Sequence, residues 1–117
     1  MNEPTVTFKN GKMWFNMVCL KKFPDTDYVR FAVDDISKSL LVEQSTEEES
    51  NDGRWCGYNP HKRRGKAIPC GEFFLRIVNL MQWNGNCKYK IIGKFAGDSI
   101  EFDLNQVITE VQNNEQL

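Results

Sequence analysis

The middle of the chain contains the residues whose types and spacing are best suited to chemistry, because an acidic run is followed at once by a basic one. No acid interrupts the basic run between Asp52 and Glu72. Lysine and arginine neutralise phosphate or carboxylate groups, and tryptophan and tyrosine stack on bases or fill a protein pocket. The segment at about 45–68 therefore predicts a charged loop that binds a partner. Its candidate contact residues are Arg54, Trp55, Tyr58, His61, Lys62, Arg63, Arg64 and Lys66 on the basic side, and Glu47, Glu48 and Glu49 on the acidic side.

Three interpretations of this loop stay open at the level of sequence. Glycines and a proline interrupt the segment, and irregular loops of this length in small domains usually have a function. The basic half could fold back on the acids while Trp55 packs on the core. It could instead contact nucleic acid, or it could contact an acidic protein surface.

Metal binding and nucleophilic catalysis are alternatives that the spacing of ligand residues disfavours. Cys56, His61, Cys70 and Cys87 do not form the close pairs that structural zinc sites use, in which one tight turn directs two ligands at the ion. His61 is the only histidine of the chain, and a Cys56–His61 pair would lack the acid that orients the base. We therefore expect neither a metal site nor a catalytic cysteine.

A metal-dependent nuclease would need two or three carboxylates that converge on a cation, usually beside a lysine. Glu101 and Asp103 share one face of a predicted strand, and with Lys90 they could imitate such a cluster. Cross-strand ion pairs explain the same residues more simply. The glycines form no phosphate loop or dinucleotide motif, so the sequence predicts no cofactor and no enzymatic activity.

Length and composition indicate a single domain over residues 1–117. Apolar residues make up 40% of the chain, which is enough for one continuous core. The net charge of −1 argues against a protein that coats DNA through bulk positive charge, although a local basic surface still reaches phosphates. The N-terminus lacks a signal-peptide core and no apolar run is long enough to span a membrane. We therefore expect a cytoplasmic protein with no membrane contact, whose cysteines are reduced.

The first half of the chain predicts two hairpins and a short helix. Two short strands at 5–9 and 12–16 flank Asn10-Gly11, the dipeptide that favours a type I′ turn. A short helix at about 17–23 precedes Pro24. Residues 28–34 alternate apolar and polar side chains, and residues 39–44 return as the second strand of an antiparallel pair.

The second half predicts the main helix and a third hairpin. Apolar residues at helical spacing favour a helix at about 71–83, which Gly85 and its neighbouring asparagines would end. Strands at 88–95 and 99–104 follow, with their lysines and acids paired across the hairpin. The tail is expected to fray from about 106, with at most a short helix at 107–111. The predicted fold is α+β, in which a mostly antiparallel sheet of three β-hairpins is packed by one long helix and one short helix.

Six short segments within residues 12–104 carry a resemblance: Trp14-Phe15-Asn16, Cys19 to Lys22, Tyr28 to Phe31, Lys38 to Val42, Phe74 to Trp83 and Tyr89 to Gly93. The pattern resembles small proteins of phages and conjugative elements in Gram-positive bacteria, which include regulators and inhibitors of host defence such as anti-CRISPR proteins. The resemblance implies a non-enzymatic protein that inhibits or modulates host nucleic-acid machinery through contact with a host protein or ribonucleoprotein complex. In such an inhibitor, the acidic run would imitate phosphate. The alternative is a DNA- or RNA-binding transcriptional regulator that uses the basic loop at 54–66.

Overall fold

One eight-stranded antiparallel sheet with two helices makes up the described part of the chain. The computed structural model describes residues 3–23, 28–45, 53–54, 66–69, 71–84 and 86–112. The elements in chain order are β1 (Thr5–Lys9), β2 (Lys12–Phe15), α1 (Met17–Lys22), β3 (Tyr28–Asp34), β4 (Ser39–Ser45), β5 (Gly53–Arg54), β6 (Lys66–Pro69), α2 (Gly71–Met81), β7 (Cys87–Ala96) and β8 (Ser99–Gln112). Across the sheet the strands are ordered β5-β3-β4-β8-β7-β1-β2-β6.

The predicted α+β class is wrong, because the described residues form mostly β-sheet, curled into a half-barrel, and include no long helix. α2 ends at Met81 and α1 has only 6 residues. Strands β5 and β6 form inside the segment predicted as loop, and β8 continues to Gln112 through the tail predicted to fray or to form a short helix. Pairing with distant strands stabilises these segments, and a local sequence pattern does not report such pairing. Within the described residues, neither helix has the length and apolar composition needed to cross a bilayer.

The hydrophobic core fills the inner face of the curled sheet. Its largest fully buried side chains are Phe8, Phe15, Phe102, Met13, Leu20, Leu40, Ile77, Ile91, Ile100 and Leu104. The rings of Phe15 and Phe31 stack with their centroids 5.8 Å apart, and the ring of Phe102 lies 6.2 Å from that of Phe15. Phe74 and Ile77 from α2 belong to the same cluster. The inner face is therefore filled by the packed side chains of the described residues.

Asn16 joins the first hairpin to α1. Its side-chain oxygen accepts hydrogen bonds from the backbone N–H groups of Thr5 and Cys19, both at 3.2 Å, and its amide nitrogen donates to the carbonyl of Glu3 at 2.9 Å. An asparagine at this position caps a helix N-terminus by satisfying a free N–H group. The short helix expected at about 17–23 is present as α1. The side chain of Asn16 ties the start of this helix to the first residue of β1.

Both hairpin turns of the N-terminal half use side chains or backbone conformations that the sequence indicates. Asn10 and Gly11 have φ angles of 53° and 74°, as a type I′ turn requires, so the predicted hairpin of β1 and β2 is confirmed. Between β3 and β4, the carboxylate of Asp34 accepts hydrogen bonds from the backbone N–H groups of Ser37 (3.2 Å) and Ile36 (2.9 Å). These donors lower the pKa of Asp34, because they stabilise its ionised form.

β8 belongs to both halves of the sheet because it bends. Its first residues pair with β4 up to Asp103 opposite Ser39, while its later residues pair only with β7. The register between β7 and β8 shifts twice, and four residues of β8 separate the partners of Ile91 and Gly93. Such bulges bend a strand and increase its twist. The sheet therefore curls at β8.

α2 ends in a Schellman motif in which a glutamine occupies the left-handed position. Gln82 has a φ of 56°, its N–H donates to the carbonyl of Asn79 at 3.3 Å, and the N–H of Trp83 donates to the carbonyl of Val78 at 2.9 Å. The sequence predicts a cap at Gly85, three residues too late. Glycine is the usual residue here, since it has no Cβ to clash in this conformation.

Glycine at position 82 is therefore expected to stabilise the protein relative to alanine. Gln82→Gly and Gln82→Ala both remove the exposed amide, and the two variants should differ by about 1 kcal/mol in the free energy of unfolding, with glycine the more stable. Urea denaturation followed by circular dichroism measures this difference. Equal stability of the two variants would contradict the left-handed assignment of Gln82.

Candidate functional site

The structure places two of the predicted loop residues on strands at opposite ends of the strand order. The backbone of Arg54 pairs with Tyr28 in β5, and the backbone of Lys66 pairs with Phe15 in β6. The other candidate contact residues lie outside the described residues: Glu47, Glu48, Glu49, Trp55, Tyr58, His61, Lys62, Arg63 and Arg64. The loop as a binding unit stays a prediction.

A different basic surface lies on the outer face of β2, β1 and β7. Burial alternates along each of these strands, so every second side chain points away from the core. Two adjacent rows of outward positions across the three strands hold Trp14, Thr7 and Lys90 in the first row, and Lys12, Lys9 and Lys88 in the second. We call these residues the lysine face.

The strand register fixes the neighbours within the lysine face. Thr7 pairs with Trp14 on one side and with Lys90 on the other. Lys9 pairs with Lys12, and Lys88 follows it on β7, since the preceding residue of β1 pairs with Tyr89. Adjacent strands lie about 4.8 Å apart and successive outward positions about 7 Å apart. The side chains of the face therefore leave the backbone within a patch about 10 Å wide.

The expected ion pairs across the last hairpin form only at its turn end. Lys94 lies opposite Glu101, and its ammonium group is 3.3 Å from that carboxylate. The prediction is wrong for the other two lysines of β7, because the bulges of β8 shift the register. Lys90 lies opposite Thr109, and Lys88 is two residues further from the turn. Two lysines that local pattern assigned to acids are therefore available to a partner.

No acidic side chain of the described residues forms an ion pair with the lysine face. Lys9 and Lys12 lie directly opposite each other, an arrangement that is destabilising because like charges are held together. The aliphatic parts of such side chains cover the sheet while the ammonium groups stay in water. An anion that binds to such a surface lowers the free energy of the protein, because it reduces the repulsion between the lysines.

Trp14 supplies the aromatic surface of the lysine face. Its side chain is 43% exposed, whereas its neighbours along the strand, Met13 and Phe15, are buried. The tryptophan Trp83 differs, because its ring stacks on Tyr89 with the centroids 4.4 Å apart. No ring of the described residues contacts that of Trp14. An indole ring next to ammonium groups on an open sheet is suited to stacking.

Sequence reasoning missed Lys9, Lys12 and Trp14. The alternation in the first hairpin does assign them to its outer face, beside Thr7. What the local pattern omits is the pairing of β1 with β7, which brings Lys90 to the same surface from a distant part of the chain. The alternation of each strand indicates its outward lysines separately, but only the strand order shows that these lysines share one surface.

The catalytic alternatives receive no support from the described residues. They contain no group of three or more histidine, cysteine, aspartate or glutamate side chains that could hold a metal ion. Cys19 is buried and donates to the carbonyl of Thr5 at 3.5 Å, and burial raises the pKa of its thiol to about 12, so it is a poor nucleophile at neutral pH. Lys90 is separated from Glu101 by the register, so the nuclease-like cluster does not form.

One cleft lies far from the lysine face, between α1, the end of β4 and the turn that joins β7 to β8. It has a volume of about 520 Å³ and is lined by Lys22, Glu43, Asp98 and neighbouring residues. The ammonium group of Lys22 donates to the carbonyl of Gly97 at 2.6 Å and lies 5.1 Å from the ring of Phe95. This lysine is engaged within the protein, and the remaining charges of the cleft are acidic. The cleft is therefore a weaker candidate for an anion site than the lysine face.

Comparison with known proteins adds no family to these observations: no protein-family model, curated protein or solved structure matches the chain.

Proposed function

We propose that the protein is a non-enzymatic nucleic-acid-binding protein and that the lysine face contacts the phosphates. The observation that carries the proposal is the concentration of Lys9, Lys12, Lys88 and Lys90 in two rows of three strands, with no acidic partner among the described residues. Lysines that neutralise phosphates release condensed counterions, and this release supplies most of the affinity of sequence-independent binding.

The charge of the whole chain is compatible with this function. The net charge is −1, so the protein as a whole does not attract polyanions. The potential near a surface depends on the local charges within about one Debye length, roughly 8 Å at physiological salt. The four lysines leave the backbone within a patch about 10 Å wide, so their charges would act together and orient the approach to a phosphate backbone.

The inhibitor function that the resemblance implies stays a prediction. Its acidic contact residues, Glu47 to Glu49, lie outside the described residues, and the lysine face gives it no direct support. A host ribonucleoprotein is compatible with both functions, since its RNA offers phosphates to the lysine face. A cytoplasmic location, where such a complex would be found, is part of the same proposal.

The salt dependence of binding tests the proposal quantitatively. For a single strand, each neutralised phosphate contributes about 0.7 to the slope of log affinity against log salt, so four lysines predict a slope of about −3. Affinity for a fluorescent oligonucleotide should then fall about 50-fold between roughly 50 and 200 mM salt. Replacement of all four lysines by glutamine should remove most of this dependence. Fluorescence anisotropy titrations at several salt concentrations measure both quantities.

The control variant is Lys94→Gln, which removes one lysine of β7 that is paired with Glu101. It should leave the slope unchanged. A second variant replaces Lys62, Arg63 and Arg64 of the basic loop by neutral residues. If that variant loses the salt dependence while the lysine-face variant keeps it, the binding surface is the loop. Absence of binding at low salt would refute the function itself.

A further inference from the structure

We propose that the lysine face binds single-stranded nucleic acid and that Trp14 stacks on one of its bases. The inference rests on the proposed function and specifies the substrate class of that site. It begins from Trp14, whose ring is 43% exposed in the row formed with Thr7 and Lys90. At this exposure a large part of the indole surface remains accessible after folding, and it is available to a partner.

The strand partners of Trp14 on both sides are small residues, since Ala67 of β6 lies opposite it on the side away from β1. Thr7, its partner on β1, is short, and Lys90 is two strand spacings away, about 10 Å. Lys12 is two residues earlier on β2, at about 7 Å along the strand. A base that stacks on the ring would thus have ammonium groups on two sides at distances that flexible lysine side chains span. These ammonium groups would then lie near the phosphates of the nucleic acid on either side of the stacked base.

Stacking on an exposed ring requires a base whose face is accessible. In a duplex the base faces are stacked on one another, so a protein reaches only base edges, sugars and phosphates. Single strands offer unstacked bases, and sheet surfaces that combine aromatic and basic side chains bind them by stacking and charge together. Trp14 would add nothing to duplex binding unless it unstacked the helix.

The curvature of the sheet favours the same substrate. The core fills the concave face of the half-barrel, so the lysine face is on the convex side. A rigid duplex touches a convex surface over a small area, whereas a flexible single strand follows it. Among the described residues, the face consists of three strands and carries no projecting helix or ribbon that would enter a groove.

Three labelled probes separate the contributions of charge and of base. They are an oligothymidylate of about 15 nucleotides, an abasic strand of the same length, and a duplex of the same length. Trp14→Ala should weaken binding of the oligothymidylate about tenfold, within the range measured for loss of one base–aromatic stack. It should leave binding of the abasic strand unchanged, because that strand keeps the phosphates and lacks the bases. Trp14→Phe should recover most of the lost affinity.

A matched control and the salt slope complete the experiment. Phe95 is a second exposed aromatic residue, 47% exposed, which lies on β7 outside the lysine face. Phe95→Ala should therefore not change binding. The salt slope of Trp14→Ala should equal that of the wild type, since no phosphate contact is lost. Equal losses on the oligothymidylate and abasic strands, or duplex binding as tight as single-strand binding, would overturn the inference while leaving the proposed function intact. Failure of all three probes to bind at low salt would overturn both.

Discussion

Replacement of Phe15 by alanine is expected to lower the free energy of unfolding by about 4 kcal/mol, the largest effect of any single substitution considered for this protein. Phe15 is 1% exposed and its ring lies between Phe31 and Phe102, with centroid distances of 5.8 and 6.2 Å. Truncation removes the transfer free energy of the ring and leaves a cavity that neighbouring rings fill only partly. Domains of this size are stable by about 5–15 kcal/mol, so the variant should be close to unfolding at 37 °C.

The adjacent residue provides the control for Phe15→Ala. Trp14 precedes Phe15 on β2, points to the opposite face of the sheet and stays 43% exposed. Trp14→Ala therefore removes a larger ring at a smaller cost, about 2 kcal/mol or less. Urea denaturation monitored by circular dichroism compares the two variants under the same conditions. Similar losses from both substitutions would show that the assignment of inner and outer faces is incorrect, and with it the lysine face.

A methyl group at Gly93 is expected to destabilise the protein by about 3 kcal/mol, although alanine is the smallest substitution possible. A Cβ built at this position would lie 2.6 Å from two ring carbons of Phe102 and 2.8 Å from the carbonyl oxygen of Glu101. Phe102 is fully buried, and the oxygen belongs to the backbone, so neither has room to move. The backbone N–H of Gly93 also donates to the carbonyl of Pro4 at 2.8 Å, which holds the strand in place.

The comparison for Gly93→Ala is Gly97→Ala on the same hairpin. Gly97 has a φ of 61° and no atom within 4 Å of a built Cβ, so alanine there costs only the left-handed conformation, about 1 kcal/mol. Phe102→Leu in the Gly93→Ala background removes part of the ring that obstructs the methyl group. The losses in the double variant should therefore be less than the sum of the two single losses. Additive losses would mean that the contact with Phe102 does not determine the cost.

Much of the local structure could be predicted from the sequence, because local interactions decide it. The Asn10-Gly11 turn and the alternation over residues 28–34 follow from backbone conformation and side-chain period, and the structure contains both. The position of α1 follows similarly from its apolar spacing before Pro24. These features depend on residues that are neighbours in sequence.

The fold class was predicted incorrectly because it depends on contacts that have no local signature. β8 continues for 14 residues because the 10 residues of β7 pair with it from Ser99 to Gln112 and the bulges accommodate its extra residues. Its Asn- and Gln-rich composition nevertheless resembles a frayed tail. The bulges of β8 move Lys90 opposite Thr109 and away from the acids. This register between β7 and β8 leaves Lys90 without an acid opposite it, and so determines its place in the candidate site. A surface made by β2, β1 and β7 is predictable only once the pairing of β1 with β7 is known.

The pairing of β1 with β7 also determines when the lysine face, and with it the proposed binding of nucleic acid, can form. Thr7 and Lys90 meet across strands that are far apart in the chain, and β1 is synthesised well before β7. A nascent chain whose seventh strand is still inside the ribosome has only Lys9 and Lys12 of the four lysines in the lysine face. Its first hairpin alone is marginally stable. Contacts between such distant residues also form late in folding, because long loops must close first. Unfinished or misfolded copies would thus remain free of nucleic acid, and only a completely folded molecule would compete for it.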